Sequence, residues 1–341
     1  MLPRALASLV LFVVACDGPA APGPRRLALT TPTAAPREHR LRERPELRRA
    51  DGAVLVRGSW GRAPGAFGRV EEASRPGPMS LTVGAEGGIH VLDQVNRRVQ
   101  RFDAGGRLLG VTGGIAETSE DLVLAGGAYR ILVYVPGTPP RYRIDSIEPG
   151  GRRLARIDLP PELVLATRLI VAGDPAAPEL WLELAQRETV LVARGDASVV
   201  GAGRESARIL GRPAPGLGRI LARREAGGRA VLIERVLPGR YTGRHLRLEL
   251  PEPILALAAS ASAPDGTQAL LLNLGTTEAS VRRLALVMPA MGAPFTVELD
   301  GERACDVFRP LALGPDGALH VLESDESGVT VRRFAATGAA R

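Results

Sequence analysis

The chain has 341 residues, enough for one large domain or two ordinary ones, and its 45% apolar and 24% charged shares suit a folded globule. Aromatic residues make up only 4%, which argues against stacking platforms for single-stranded nucleic acid. The net charge of +7 does not point to nucleic acid either, because all 44 basic residues are arginines scattered along the chain, with no basic tract.

The first sixteen residues read MLPRALASLVLFVVAC. Arg4 precedes an apolar run, residues 5–15, that is too short to span a bilayer comfortably and fits the central region of a secretory signal. Val13-Val14-Ala15-Cys16 at its end resembles a bacterial lipobox. The resemblance implies a lipoprotein signal peptide over residues 1–15, cleaved so that Cys16 becomes an acylated N-terminus held in the bilayer. The protein is then exported to the cell envelope, on the periplasmic side of the inner or outer membrane or at the cell surface. Asp17 resembles an inner-membrane retention signal, though that rule is not general. The alternative is an ordinary cleaved signal with an incidental cysteine. With Cys16 acylated, Cys305 has no partner for a disulfide within the chain and is expected as a small buried residue.

Residues 16–50 form the lipidated end and a tether. The stretch is rich in Pro, Ala and Arg, with Pro19, Pro22 and Pro24 followed by a charged run over residues 37–44, and it has no strand or helix periodicity. As a coil it reaches roughly 30 Å.

From residue 51 to the end, turn signals recur every eight to twelve residues with no convincing helix between them. The clearest stretch, residues 58–114, holds four short apolar runs at 79–83, 89–92, 99–102 and 108–111, each closed by glycine or aspartate. Such runs with turns between them are antiparallel strands of a meander. Ala66-Phe67-Gly68, Pro78, Gly87-Gly88-Ile89-His90-Val91-Leu92-Asp93, Asn96-Arg97, Val99-Gln100-Arg101-Phe102-Asp103 and Gly105-Gly106 together resemble an NHL repeat. The resemblance covers residues 65–106 and implies one blade of a β-propeller. A single blade cannot bury both of its faces, so others must follow.

Further strand sets are expected at 121–125, 129–135, 141–147 and 153–159, and at 168–172, 179–185, 188–194 and 207–210. Next come 220–224, 230–236 and 245–250, then 254–259, 269–274, 280–288 and 295–299. The last set, 309–313, 317–323 and 329–334, echoes the first: Leu319-His320-Val321-Leu322-Glu323 matches Ile89-His90-Val91-Leu92-Asp93, and both precede Arg-Phe. It lacks a fourth strand, and a strand at 53–57 is left over. The expected fold is therefore all-β, a six-bladed, NHL-like β-propeller over residues 51–341, closed by an N-terminal strand that completes the C-terminal blade. Strands apolar on both faces favour this over a β-sandwich, which would be polar on one.

Chemistry-bearing residues are few. Of the four histidines, His39 falls in the tether and His245 is isolated, while His90 and His320 occupy equivalent strand positions. In NHL repeats that position often holds a bulky aromatic, so both are expected as wedges between blades. Asp93, Asn96 and Glu323, with Asp316 and Asp325, are expected to shape turns through local backbone amides. Some propellers related to this repeat are zinc-dependent lyases or calcium-dependent lactonases, but neither ligand pattern is clean here. There is no Gly-x-Ser-x-Gly elbow, no phosphate-binding glycine loop and no Cys-x-x-Cys. The sequence thus favours a monomeric, membrane-anchored propeller scaffold that binds a protein or small ligand, without cofactor, metal or catalysis. The alternatives are a hydrolase or lyase using the central channel, and a structural envelope component.

Overall fold

The computed structural model describes residues 52–71, 75–174, 176–185, 188–200, 207–214, 218–236, 245–263, 267–277, 281–289, 294–299 and 304–335. The expectations for Cys16, His39 and the tether lie outside them. Apart from a single 3-10 turn at Pro161–Leu163, the regular structure there is strand.

The strands form six antiparallel sheets, each a blade. Blade 1 is Pro78–Val83, Ile89–Asp93, Arg98–Phe102 and Leu108–Thr112, from axis to rim. Blade 2 is Ser119–Ala125, Ala128–Val135, Arg141–Ile147 and Arg153–Asp158. Blade 3 runs through Ala166–Asp174, Ala177–Leu184 and Glu188–Arg194. Its rim is split, because Ala197–Ser198 and Arg208–Leu210 both pair with Glu188–Arg194. Blade 4 contains Arg212–Ala214, Gly218–Arg224, Ala230–Val236 and His245–Glu249. Blade 5 contains Ile254–Ser262, Gln268–Leu274, Arg282–Met288 and Phe295–Leu299.

Blade 6 closes the ring. Leu311–Leu313, Leu319–Asp325 and Gly328–Phe334 come from the end of the chain, and Ala53–Ser59 adds the rim strand. The pairing is antiparallel, from Ala53 opposite Arg333 to Ser59 opposite Gly328. This is the closure expected from the unassigned strand ahead of blade 1. A turn of blade 1 packs directly on the closing strand. Gly106 sits there at φ +86°, and a Cβ would collide with the Leu55 carbonyl.

Burial explains the sequence pattern. Every residue of Ile89–Asp93 is buried, as are the first six of Ala128–Val135, because a middle strand is covered by blades on both faces. Rim strands such as Leu108–Thr112 and Arg153–Asp158 alternate between exposed and covered positions.

Apolar clusters fill the seams. Val56, Phe67, Leu81, Val91, Leu322 and Val331 join blades 6 and 1. Leu92, Leu122 and Tyr129 join blades 1 and 2, and Leu132, Leu169 and Leu182 join blades 2 and 3. Ile233 with Leu272, and Leu271 with Leu311, do the same for blades 4–5 and 5–6. Among the described residues no such cluster spans blades 3 and 4. That seam is polar: Arg212 bonds Glu183, and Thr189 Oγ1 donates to the Gly211 carbonyl at 2.9 Å.

Two short strands escaped the sequence reading, Ala197–Ser198 in the split rim of blade 3 and the first strand of blade 4. Arg212–Ala214, the innermost of blade 4, has three residues with Pro213 at its centre, and so presents neither an apolar run nor alternation.

Candidate functional site

The inner strands converge on a buried charge cluster. Asp121, the third residue of the inner strand Ser119–Ala125 of blade 2, is fully buried. Its Oδ1 accepts from Ser80 Oγ of blade 1 at 2.9 Å and from Arg309 Nε at 2.8 Å. Its Oδ2 accepts from Arg309 Nη2 at 2.6 Å and from the Leu169 amide of blade 3 at 2.8 Å. Arg309 Nη2 also donates to the Leu169 carbonyl. The backbone of Arg309, just ahead of blade 6, bridges to Ser80. One carboxylate thus ties together blades 1, 2 and 3 and the lead-in to blade 6.

Burial alone would push the Asp121 carboxyl up. The adjacent Arg309 guanidinium, with the amide and hydroxyl donors, outweighs burial and holds it below the usual carboxylate range.

Arg168 on the inner strand of blade 3 extends the cluster across the ring. Its Nη2 donates to the Ala258 carbonyl of blade 5 at 2.8 Å and to the Phe308 carbonyl at 3.2 Å. Burial, then repulsion from Arg212 and Arg309, lowers its pKa to about 10, against attraction from Glu183 and Asp121. Arg212 of blade 4 donates through Nε at 2.8 Å and Nη2 at 2.6 Å to Glu183 Oε1 of blade 3. With that pair, blades 1 to 5 and the lead-in to blade 6 share the network.

The residues singled out from sequence lie elsewhere. Asp93 is fully buried at the end of Ile89–Asp93, not in a turn. Its Oδ1 accepts from the Gly68 amide at 3.0 Å, and its Oδ2 from Asn96 Nδ2 at 2.9 Å and Arg98 Nε at 2.8 Å. Asn96 Nδ2 also donates to the Gly61 carbonyl at 2.9 Å, and Arg98 to the carbonyls of Arg62, Ala63 and Ala66. These residues reach beyond their own turn and hold the glycine-rich lead-in, residues 61–68, against blade 1.

Glu323 also lies within a strand, Leu319–Asp325, beside Arg332. Asp316 does sit in a turn and Asp325 ends the strand Leu319–Asp325 at the turn that follows; each accepts from backbone amides two or three residues on.

His90 is buried, with Nδ1 3.0 Å from the Tyr129 hydroxyl of blade 2 and the rings edge to face. Burial, aided by Arg101, lowers its pKa to about 4. His320 is buried too, with Nδ1 3.2 Å from the Ala318 carbonyl, and burial lowers its pKa. His245 opens the strand His245–Glu249. Cys305 is buried, its Sγ 3.2 Å from Ser324 Oγ. No three His, Cys, Asp or Glu side chains converge as a metal site among the described residues.

Sequence reasoning missed Asp121, Arg168, Glu183, Arg212 and Arg309. A signal existed: Ser80-Leu81, Asp121-Leu122 and Arg168-Leu169 place a polar residue before the same leucine of three successive inner strands.

No family model matches the sequence, and neither does any curated protein. Among solved structures the chain is similar to a glucose dehydrogenase, at 14% identity and a TM-score of 0.46 over 76% of this chain and 96% of that one. It is also similar to a streptogramin B lyase, at 11% identity and a TM-score of 0.40 over 78% and 96%. The calcium-binding protein regucalcin from Agrobacterium tumefaciens gives 14% identity and a TM-score of 0.42 over 78% and 92%. These likenesses are distant, and the propeller assignment stands on the strand pairing itself.

Proposed function

We propose that the chain is an exported bacterial envelope protein, lipid-anchored through Cys16, whose propeller binds a protein or small ligand and catalyses no reaction. The observation that supports it is the axial network. Asp121 and Arg309 neutralise each other while their remaining hydrogen bonds fix neighbouring blades, so neither is left to act as a general acid or base. The same holds for Asp93 and Arg98 beneath the lead-in loop. Such a locked ring gives a rigid frame for loops that recognise a partner. The anchor is supported by Val13-Val14-Ala15-Cys16 and the apolar run before it. Acyl chains contribute about 0.8 kcal/mol per buried methylene, so more than one chain holds a protein stably on a bilayer.

Metal analysis of protein purified from detergent-solubilised membranes, with affinity capture from the same extract, tests the proposal. A specific co-purifying component without stoichiometric metal is expected. Stoichiometric zinc or calcium would overturn the non-catalytic reading in favour of a channel hydrolase or lyase.

A further inference from the structure

Near the rim, the apolar packing between blades 5 and 6, which includes Val321, Phe334 and Val297, gives way to a charged cleft. Alternate residues of Leu319–Asp325 share a face, so Glu323 and Asp325 follow Val321 on the side of that seam. The cleft has a volume of about 240 Å³. Its walls are Val54 and Arg57 of the closing strand, Glu323, Thr330 and Arg332 beside them, and Arg283 across the seam on blade 5. Register assembles the blade 6 wall: Thr330 lies opposite Glu323 on one neighbouring strand and opposite Arg57 on the other. The bulge between Val54 and Val56 brings Val54 and Arg57, three residues apart, onto the same face.

The charged groups of this cleft are unequally engaged. Asp325, which also lines it, accepts at Oδ1 from the Ser327 amide at 2.7 Å, the Ser327 hydroxyl at 2.6 Å and the Gly328 amide at 3.1 Å. Glu323 pairs with Arg332 at 3.6 Å. The Arg57 side chain and the Thr330 hydroxyl, neighbours across the ladder, make no hydrogen bond or ion pair with another described residue. Three guanidinium groups therefore line the cleft against two carboxylates, and one of the three, with a hydroxyl beside it, is left to bind. The planar fork of a guanidinium matches a carboxylate or phosphate through paired hydrogen bonds. A second negative charge on the ligand would face Glu323 and Asp325, so a single charge fits best. Exposed Val54 offers an apolar wall for a short carbon chain.

We propose that the cleft between blades 5 and 6 binds a small organic monocarboxylate, its carboxylate held by Arg57 and Thr330 and its carbon body laid on Val54. The assignment rests on the ligand-binding role proposed above and narrows it to one place. Affinity capture does not depend on this cleft, so a failure here would leave that experiment to decide the broader role.

The test is a titration of the full-length protein with sodium butyrate, followed by saturation-transfer NMR at neutral pH and fixed ionic strength. Butylammonium chloride serves as a probe with the same carbon body and the opposite charge, and inorganic phosphate as a competing anion. Saturable butyrate binding is expected, weakened about tenfold or more by Arg57→Gln, as the loss of a charged hydrogen-bond donor implies. That variant is expected to keep the wild-type Tm, because the exposed Arg57 side chain joins no other described residue. Should it fail to fold, Thr330→Val, which removes only the hydroxyl, is expected to weaken butyrate binding as well. Absence of saturable butyrate binding, butylammonium or phosphate binding as tightly as butyrate, or an affinity unchanged in the folded variant would overturn the proposal.

Discussion

The Asp93 carboxylate receives hydrogen bonds from the Gly68 amide, Asn96 and Arg98, and so joins a strand to a loop 25 residues earlier. Removing it leaves the Arg98 guanidinium buried without its counter-charge. Asp93→Ala is expected to cost about 3–5 kcal/mol in urea unfolding, and Asn96→Ala, which breaks weaker links, distinctly less. His90 gives a pH dependence. Unfolded, it protonates near 6.5; folded, burial and Arg101 hold its pKa at about 4. Between those values the unfolded state binds the extra proton, so stability falls as pH drops from about 6.5 to about 4, by about 3 kcal/mol for this one group. Above that window the group contributes no pH dependence. His320, also buried and shifted downward, adds to the same acid-side loss. His90→Gln is expected to flatten part of the slope in chemical unfolding measured across that window, and an unchanged slope would count against a buried neutral imidazole.

Among the elements, the closing strand Ala53–Ser59 covers the edge formed by Val329, Val331 and Phe334, all buried. Without it a row of backbone groups would lie open beside apolar side chains. Val54 is already 44% exposed, so the apolar share of the loss falls on Val56, which is 2% exposed. Lost hydrogen bonds and that burial together predict several kcal/mol. Deleting residues 17–50 is expected to leave Tm nearly unchanged, whereas deleting 17–57 lowers it sharply or abolishes soluble expression. The polar seam between blades 3 and 4 predicts a second difference: amides of Gly218–Arg224 exchange faster than those of Ile89–Asp93 in native-state hydrogen exchange.

Most strands of the six blades, the closing strand among them, were legible because each is a short apolar run ended by a turn residue, a signal carried by local sequence. Arg212–Ala214 was not, since its place in blade 4 comes from pairing with Gly218–Arg224 and not from its own composition. The axial cluster was hidden for a related reason. Asp121 and Arg309 are 188 residues apart, and a charge near a strand start reads locally as a solvated edge. Only the closed ring makes that edge an interior.

At the scale of the whole molecule, the propeller is a ring whose first and last described strands, Ala53–Ser59 and Gly328–Phe334, pair in one blade. The proposed role requires this ring to be held at a membrane by Cys16. Cys16→Ser is expected to move the protein from the detergent phase to the aqueous phase while leaving its Tm unchanged, since the acyl anchor contributes nothing to blade packing. The most direct measurement is mass spectrometry of the N-terminal peptide from protein extracted out of membranes. A mature chain beginning at Cys16 and carrying acyl mass is predicted; an N-terminus elsewhere, with no acyl mass on Cys16, would contradict it.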